Sequence, residues 1–187
     1  MGQDFDSAFS ALPAKTQIAL AGLSDAVEGV QPTTVRSWPI DVAAMPGAAA
    51  ASNLVRDVSE WAGASGPCLY YFECRSAGID LAKVMSAFAS AKARKADGRA
   101  YPRLNAQGTC LYVGSSQSLA KRLKDHLGFG APGTYALQLV HWATPLSLQL
   151  DFVCAKYAEG TPPEVVQALE DTLWEVRRPM FGRRGAR

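Results

Sequence analysis

Cys68, Tyr70, Phe72 and Cys74 alternate with Leu69, Tyr71 and Glu73, the period-two pattern of a strand with one set of side chains on each side of a sheet. The pattern predicts a strand over 67–74, a second over Thr109–Gly114, and a third over Leu148–Ala155, where Leu148, Leu150, Phe152 and Cys154 alternate. Between the strands the apolar period lengthens to that of a helix. Leu81, Val84, Met85 and Phe88 make one stripe, capped by Asp80 and running to about Ala96. Leu119, Leu123 and Leu127 make another, entered through Ser116 or Ser118. Val166, Leu169, Leu173 and Val176 form the last, where Thr161-Pro162-Pro163-Glu164 reads as a capping box with proline at the first helical position and Pro179 is the stop. Upstream, Leu54, Val55, Val58 and Trp61 predict a helix over Ala48–Ala62, closed by Gly63 and Gly66. Residues 5–30 read as two short helices punctuated by Leu12-Pro13 and Gly22. Residues 31–46, with three prolines and Thr33-Thr34-Val35, read as an extended connector or edge strand.

Composition changes this picture in only a few respects. With 187 residues, 48% of them apolar and 19% charged, the chain is long enough for one good core and reads as globular. The longest apolar stretches, such as Met45–Ala51, are too short to span a bilayer. Asp4 and Asp6 give the start of the chain the wrong charge for a signal peptide, so no membrane partner is expected. Cys68, Cys74, Cys110 and Cys154 show no metal-type spacing and fall in strand-like stretches, as expected of reduced thiols in a cytoplasmic protein.

Charge is distributed unevenly. Residues 1–62 hold three basic and seven acidic residues, net −4, and residues 63–187 hold sixteen basic and ten acidic, net +6. The basic portion is the one suited to approach a phosphate backbone, although a merely solvated surface would look the same.

Candidate chemistry lies in that basic portion. Arg122 and His126 are four apart on one predicted helix, so they project from one face beside its leucine stripe. A guanidinium can hold phosphate oxygens, and an imidazole can hold a tyrosine hydroxyl or move a proton. An ordinary basic helix face is the alternative. Tyr70 and Tyr112 stand on separate strands, either as a reactive pair or as ring packing in a small core. Tyr71 should point to the opposite face from Tyr70. Glu170 sits beside the apolar stripe of the last helix, placed to face a cleft or to pair with Arg177 or the Trp174 indole.

The order Cys68-Leu69-Tyr70, Leu111-Tyr112-Val113-Gly114, Arg122, His126 and Glu170 followed by Pro179 resembles the GIY-YIG nuclease family across about residues 66–182. Arg122 lies ten residues and His126 fourteen after Tyr112, and Glu170 lies forty-eight after Arg122. The resemblance implies an α+β fold, a small three-stranded, mainly antiparallel sheet flanked by helices. It would occupy residues 63–187 with an insert at about 76–108, after a mainly helical N-terminal extension over 1–62. It also implies a Mg²⁺-dependent DNA endonuclease, with Mn²⁺ able to substitute, acting on double-stranded DNA in a restriction-type or mobile-element role. Its catalytic residues would be Tyr70, Tyr112, Arg122, His126 and Glu170. Glu170 would be the metal ligand, Tyr70 the favoured base with a pKa lowered by Arg122 and the cation, and Tyr112 would position water or phosphate. Nucleic-acid contacts are expected at Gly114, Ser115, Lys121, Lys124, Arg94, Lys95 and Arg99. A double-strand cut from one active site would require a homodimer or sequential nicking.

Two departures from the family pattern are Cys68 in place of the usual first glycine and Gly182 where asparagine is common. They support an alternative, a nucleic-acid-binding protein that kept the fold and lost cleavage. A third reading is an interaction protein docking through residues 1–62.

Overall fold

Tyr70 owes its surroundings to the register of four antiparallel strands. In the computed structural model, which describes residues 10–46, 48–63, 66–75 and 78–185, these are β1 (Thr34–Asp41), β2 (Cys68–Cys74), β3 (Cys110–Ser116) and β4 (Gln149–Lys156). Their order is β1-β4-β2-β3, so the sheet has four strands and not the expected three. The added strand lies in the stretch read as connector or edge strand. Trp38 and Ile40 are buried while their neighbours are exposed, and the N–H-lacking Pro39 is tolerated because β1 is an edge.

Across β2 and β3, Tyr70 pairs with Gly114 and Phe72 with Tyr112, and Glu73 then pairs with Cys110, leaving Leu111 as the extra residue of a bulge. Tyr70 and Tyr112 therefore share one face, their rings stacked at 6.3 Å. Phe72 and Phe152, 4.7 Å apart, continue that face toward Trp38.

Five α-helices occur among the described residues: α1 (Leu12–Val27), α2 (Ala48–Ala62), α3 (Leu81–Ala93), α4 (Leu119–Leu127) and α5 (Pro163–Arg177). None is long and apolar enough to cross a membrane. Of the two expected break points, Leu12-Pro13 is realised, with a turn at Ala11 between helical Ser10 and the start of α1 at Leu12, whereas α1 runs unbroken through Gly22, which has open space around it; residues 5–9 of that expectation lie outside the described residues. Asp80 caps α3 as expected, accepting from Lys83 N–H. The expected capping box on α5 is not formed. Thr161 instead donates its hydroxyl to the Ala158 carbonyl, and the helix starts at Pro163 with Pro162 in the cap position.

Helices α2 and α4 pack together, and His126 of α4 lies against the Tyr70–Phe72 face. On the other side, Val166, Leu169 and Leu173 of α5 pack with Leu69 and Ala155. The insert is latched to the C-terminal segment by Phe88, whose ring stacks on Phe181 at 3.8 Å and meets Trp142 edge-on at 5.3 Å. His141 and Arg99 tie the insert to the loop after α4. His141 contacts Asp97 and the Gly128 carbonyl, and Arg99 donates to the Gly130 carbonyl and Gln138. Cys68, Cys110 and Cys154 are buried free thiols, and Cys74 is half-buried.

Candidate active site

Helix α4 is amphipathic in an unusual way, because its buried side carries Asp125 and His126 as well as Leu119, Leu123 and Leu127. His126 is wholly buried, deeper than the core edge its sequence position suggests. Its Nδ1 accepts the Leu137 backbone N–H at 3.2 Å. That bond assigns the ring proton of the neutral tautomer to Nε2, which lies 3.1 Å from the Tyr70 hydroxyl.

Arg122, one turn earlier, donates from Nε to Tyr70 Oη at 3.1 Å and from Nη2 to Tyr112 Oη at 3.1 Å and the Tyr135 carbonyl at 3.0 Å. The Tyr70 oxygen thus accepts two N–H bonds, neither of which uses its own O–H. Arg122 commits three N–H bonds to this frame, so the bidentate phosphate grip expected of it would require releasing the tyrosines. As the site stands, its charge and Nη1, which lies 4.0 Å from Asp125, remain.

Gly114 completes the packing. A Cβ there would stand 2.7 Å from Tyr70 Oη and 3.0 Å from the Tyr112 ring. Gly182 has an equally physical reason to be glycine. Its φ is +110°, and a Cβ would meet the Tyr112 ring at 3.1 Å, while Asn105 holds its carbonyl at 3.1 Å.

Glu170 comes from the other side of the sheet. Ser115, opposite Leu69 in the register, points toward α5 and donates its hydroxyl to Glu170 at 2.5 Å. Of the two structural partners considered for Glu170, Arg177 engages Tyr71 and Glu73, and the Trp174 indole N–H is buried without a hydrogen-bond partner among the described residues. Tyr70, Tyr112, Gly114, Ser115, Arg122 and Glu170 line one open cleft of about 470 Å³.

Electrostatics follow from burial. His126 is held well below the ordinary imidazole value, first by burial and then by the Arg122 charge, so it is neutral at physiological pH. Burial also pushes the Tyr70 phenol well above its ordinary value. Tyr112 adds to the rise and Arg122 opposes it by charge and hydrogen bond. Arg122 acts in the expected direction, but desolvation outweighs it. For Arg122 itself, burial works against the charge and the two phenols prevail, so the guanidinium keeps its proton more firmly than usual.

Among the described residues, no three His, Cys, Asp or Glu side chains gather as a metal site. The donors facing the cleft near Glu170 are hard oxygens, a carboxylate and hydroxyls. This set fits Mg²⁺, which keeps several waters and can use one carboxylate plus substrate, better than it fits zinc.

The expected nucleic-acid contacts separate into groups. Gly114 and Ser115 belong to the cleft. Lys95 and Arg99 line a neighbouring groove that shares Tyr112 and Arg122, and Lys121 lines a separate depression with Ser59 and Gln117. Lys124 and Arg94 are exposed and line none of the three. Tyr135 and Arg183, absent from the expected set, line the groove. Neither sits in a local sequence pattern, and only the folded chain brings them to Arg122. Compared with known proteins, the chain matches no protein-family model, no curated protein and no solved structure.

Proposed function

We propose that this protein is a Mg²⁺-dependent endonuclease of the GIY-YIG kind that hydrolyses phosphodiester bonds in double-stranded DNA. The observation that carries the reading is the Arg122 bridge between two phenols, at 3.1 Å each, in a cleft that also contains Glu170. Residues from β2, β3, α4 and α5 meet there although they are spread over a hundred positions of sequence.

In this reading water attacks phosphorus in line and the P–O3′ bond breaks, leaving a 5′-phosphate and a 3′-hydroxyl. Tyr70 first gives up its own proton to solvent, and the His126 Nε2–H and Arg122 Nε–H already aimed at its oxygen stabilise the phenolate. The phenolate then takes the proton from the attacking water, and the leaving O3′ takes one from solvent. Tyr112 positions the water or a phosphate oxygen, and the positive charge of Arg122 offsets charge growing on the phosphate. A Mg²⁺ ion held by Glu170 would supply further stabilisation of phosphate and leaving-oxygen charge. Ser115 orients the carboxylate for that role.

The test is incubation of wild type and a folded Glu170→Gln variant with supercoiled plasmid, with Mg²⁺ or Mn²⁺ and with chelator. Metal-dependent nicking or linearisation that disappears in the variant is the expected result. Intact plasmid after incubation with well-folded wild type would overturn the reading in favour of binding without cleavage.

A further inference from the structure

The second concavity beside Arg122 has a composition the cleft does not explain. It is an open groove of about 940 Å³ lined by Lys95, Arg99, Arg103 and Arg183, and no acidic side chain lines it among the described residues. Its walls come from three distant parts of the chain: the end of the insert, the loop after α4 and the C-terminal segment. These parts are tied to one another before any ligand arrives. Ala100 N–H donates to the Pro132 carbonyl at 2.8 Å and Gly182 N–H to the Arg103 carbonyl at 2.8 Å, and within the insert itself Lys92 donates to the Pro102 carbonyl at 2.8 Å. Arg99 is the brace, with Nη1 on Gly130 and Gln138.

Arg103 and Arg183 are exposed and make no ion pair among the described residues. Tyr135 rises from the same wall with 68% of its surface exposed, an uncommon position for a large ring. Its backbone carbonyl, not its side chain, is the group that holds Arg122.

We propose that this groove binds an unpaired DNA strand alongside the cut site, with phosphates on Arg103, Arg183 and Lys95 and one unstacked base on the Tyr135 ring. The inference rests on the endonuclease reading for its mention of a cut site. Cations alone would track any backbone, paired or not. An exposed ring among cations adds a surface for the face of a base, and that face is available only where a strand is unpaired. Because Tyr112 and Arg122 line both the groove and the cleft, a strand lying in one continues into the other. The preferred substrate is then a duplex with a single-stranded extension or a locally opened site.

Binding of a short fluorescein-labelled oligothymidylate and of a blunt duplex, followed by fluorescence anisotropy in chelator over a salt series, tests the groove without cleavage. Tyr135→Ala should weaken the oligothymidylate by at least about fivefold, the lower end of a stacked-base contribution, and leave the blunt duplex nearly unchanged. Arg103→Gln combined with Arg183→Gln should reduce the slope of log affinity against log salt by about 1.4 for the single strand, about 0.7 for each phosphate that is no longer neutralised. All three side chains are exposed, so folding is retained and checked by thermal melting. Unchanged oligothymidylate binding in Tyr135→Ala, or an equal loss on both ligands, would overturn the proposal. If these shifts occur and plasmid is not cut, the groove stands and the endonuclease reading fails. If plasmid is cut while the variants bind as wild type does, the groove alone fails.

Discussion

Replacing Tyr70 by phenylalanine removes one oxygen and leaves the ring, so it isolates the hydrogen bonds from the packing. Two donors lose their acceptor. His126 Nε2–H is wholly buried and cannot recruit water, a loss of about 1–3 kcal/mol. Arg122 Nε–H belongs to a side chain that is 22% exposed, so solvent softens its loss to about 1 kcal/mol. Together these predict a destabilisation of about 2–4 kcal/mol with no cavity contribution. With a urea slope of about 2 kcal/mol/M, the unfolding midpoint falls by about 1–2 M at unchanged slope. Tyr71→Phe is the internal control. Its hydroxyl accepts from Arg177 at the surface, at 2.9 Å, and its loss should stay within about 0.5 kcal/mol. Equal and small effects of the two substitutions would refute the claim that the Tyr70 oxygen satisfies His126 and Arg122.

Three further outcomes are expected. His126 has a folded pKa depressed below its unfolded value near 6.5, so its contribution to stability is complete above that pH. The contribution is lost as pH falls from there toward the folded pKa, at up to about 1.4 kcal/mol per pH unit. Urea midpoints at pH 6.5 and 5.5 should therefore differ in wild type but hardly in His126→Gln, and parallel behaviour would sink the idea. If Tyr70 is the base, the nicking rate should climb about tenfold per pH unit from neutrality into the alkaline range, because the group must lose its proton and burial raises its pKa. A plateau already at pH 7 would assign proton transfer elsewhere. Gly114→Ala forces a Cβ to within 2.7 Å of Tyr70 Oη and should cost about 1–3 kcal/mol, and displacing the phenols should slow nicking about a hundredfold. Wild-type melting and rate in that variant would show that the phenols have room to move.

What the sequence revealed depended on whether a residue's role was local. Period-two alternation placed Tyr70 and Tyr112 on strands, and the leucine stripe of α4 fixed the face carrying Arg122 and His126; all four do converge. Strand β1 was ambiguous because three prolines look like a connector, and only pairing with β4 resolves it. The break expected at Gly22 does not occur because an exposed helix tolerates a glycine with nothing around it. The capping box failed because the helix begins at Pro163, which puts Pro162 and not Thr161 in the cap position. Tyr70's raised pKa was illegible because it reflects how completely the ring is enclosed, a property of packing that no spacing encodes.

The amide of Leu137 has a consequence that reaches beyond the cleft. A main-chain N–H, supplied by a residue whose side chain is fully buried, decides which nitrogen of His126 carries the proton. Every amino acid except proline supplies the same N–H, so the chemical role of position 137 is invisible to a comparison of side chains. Selection there would be recorded only as a preference for an apolar residue of suitable size. Two homologues could differ at 137 and share one imidazole tautomer, or share leucine and differ in tautomer because the loop carries the amide a fraction of an ångström further away. Inheritance of proton placement in this site is thus a matter of loop path and not of residue identity.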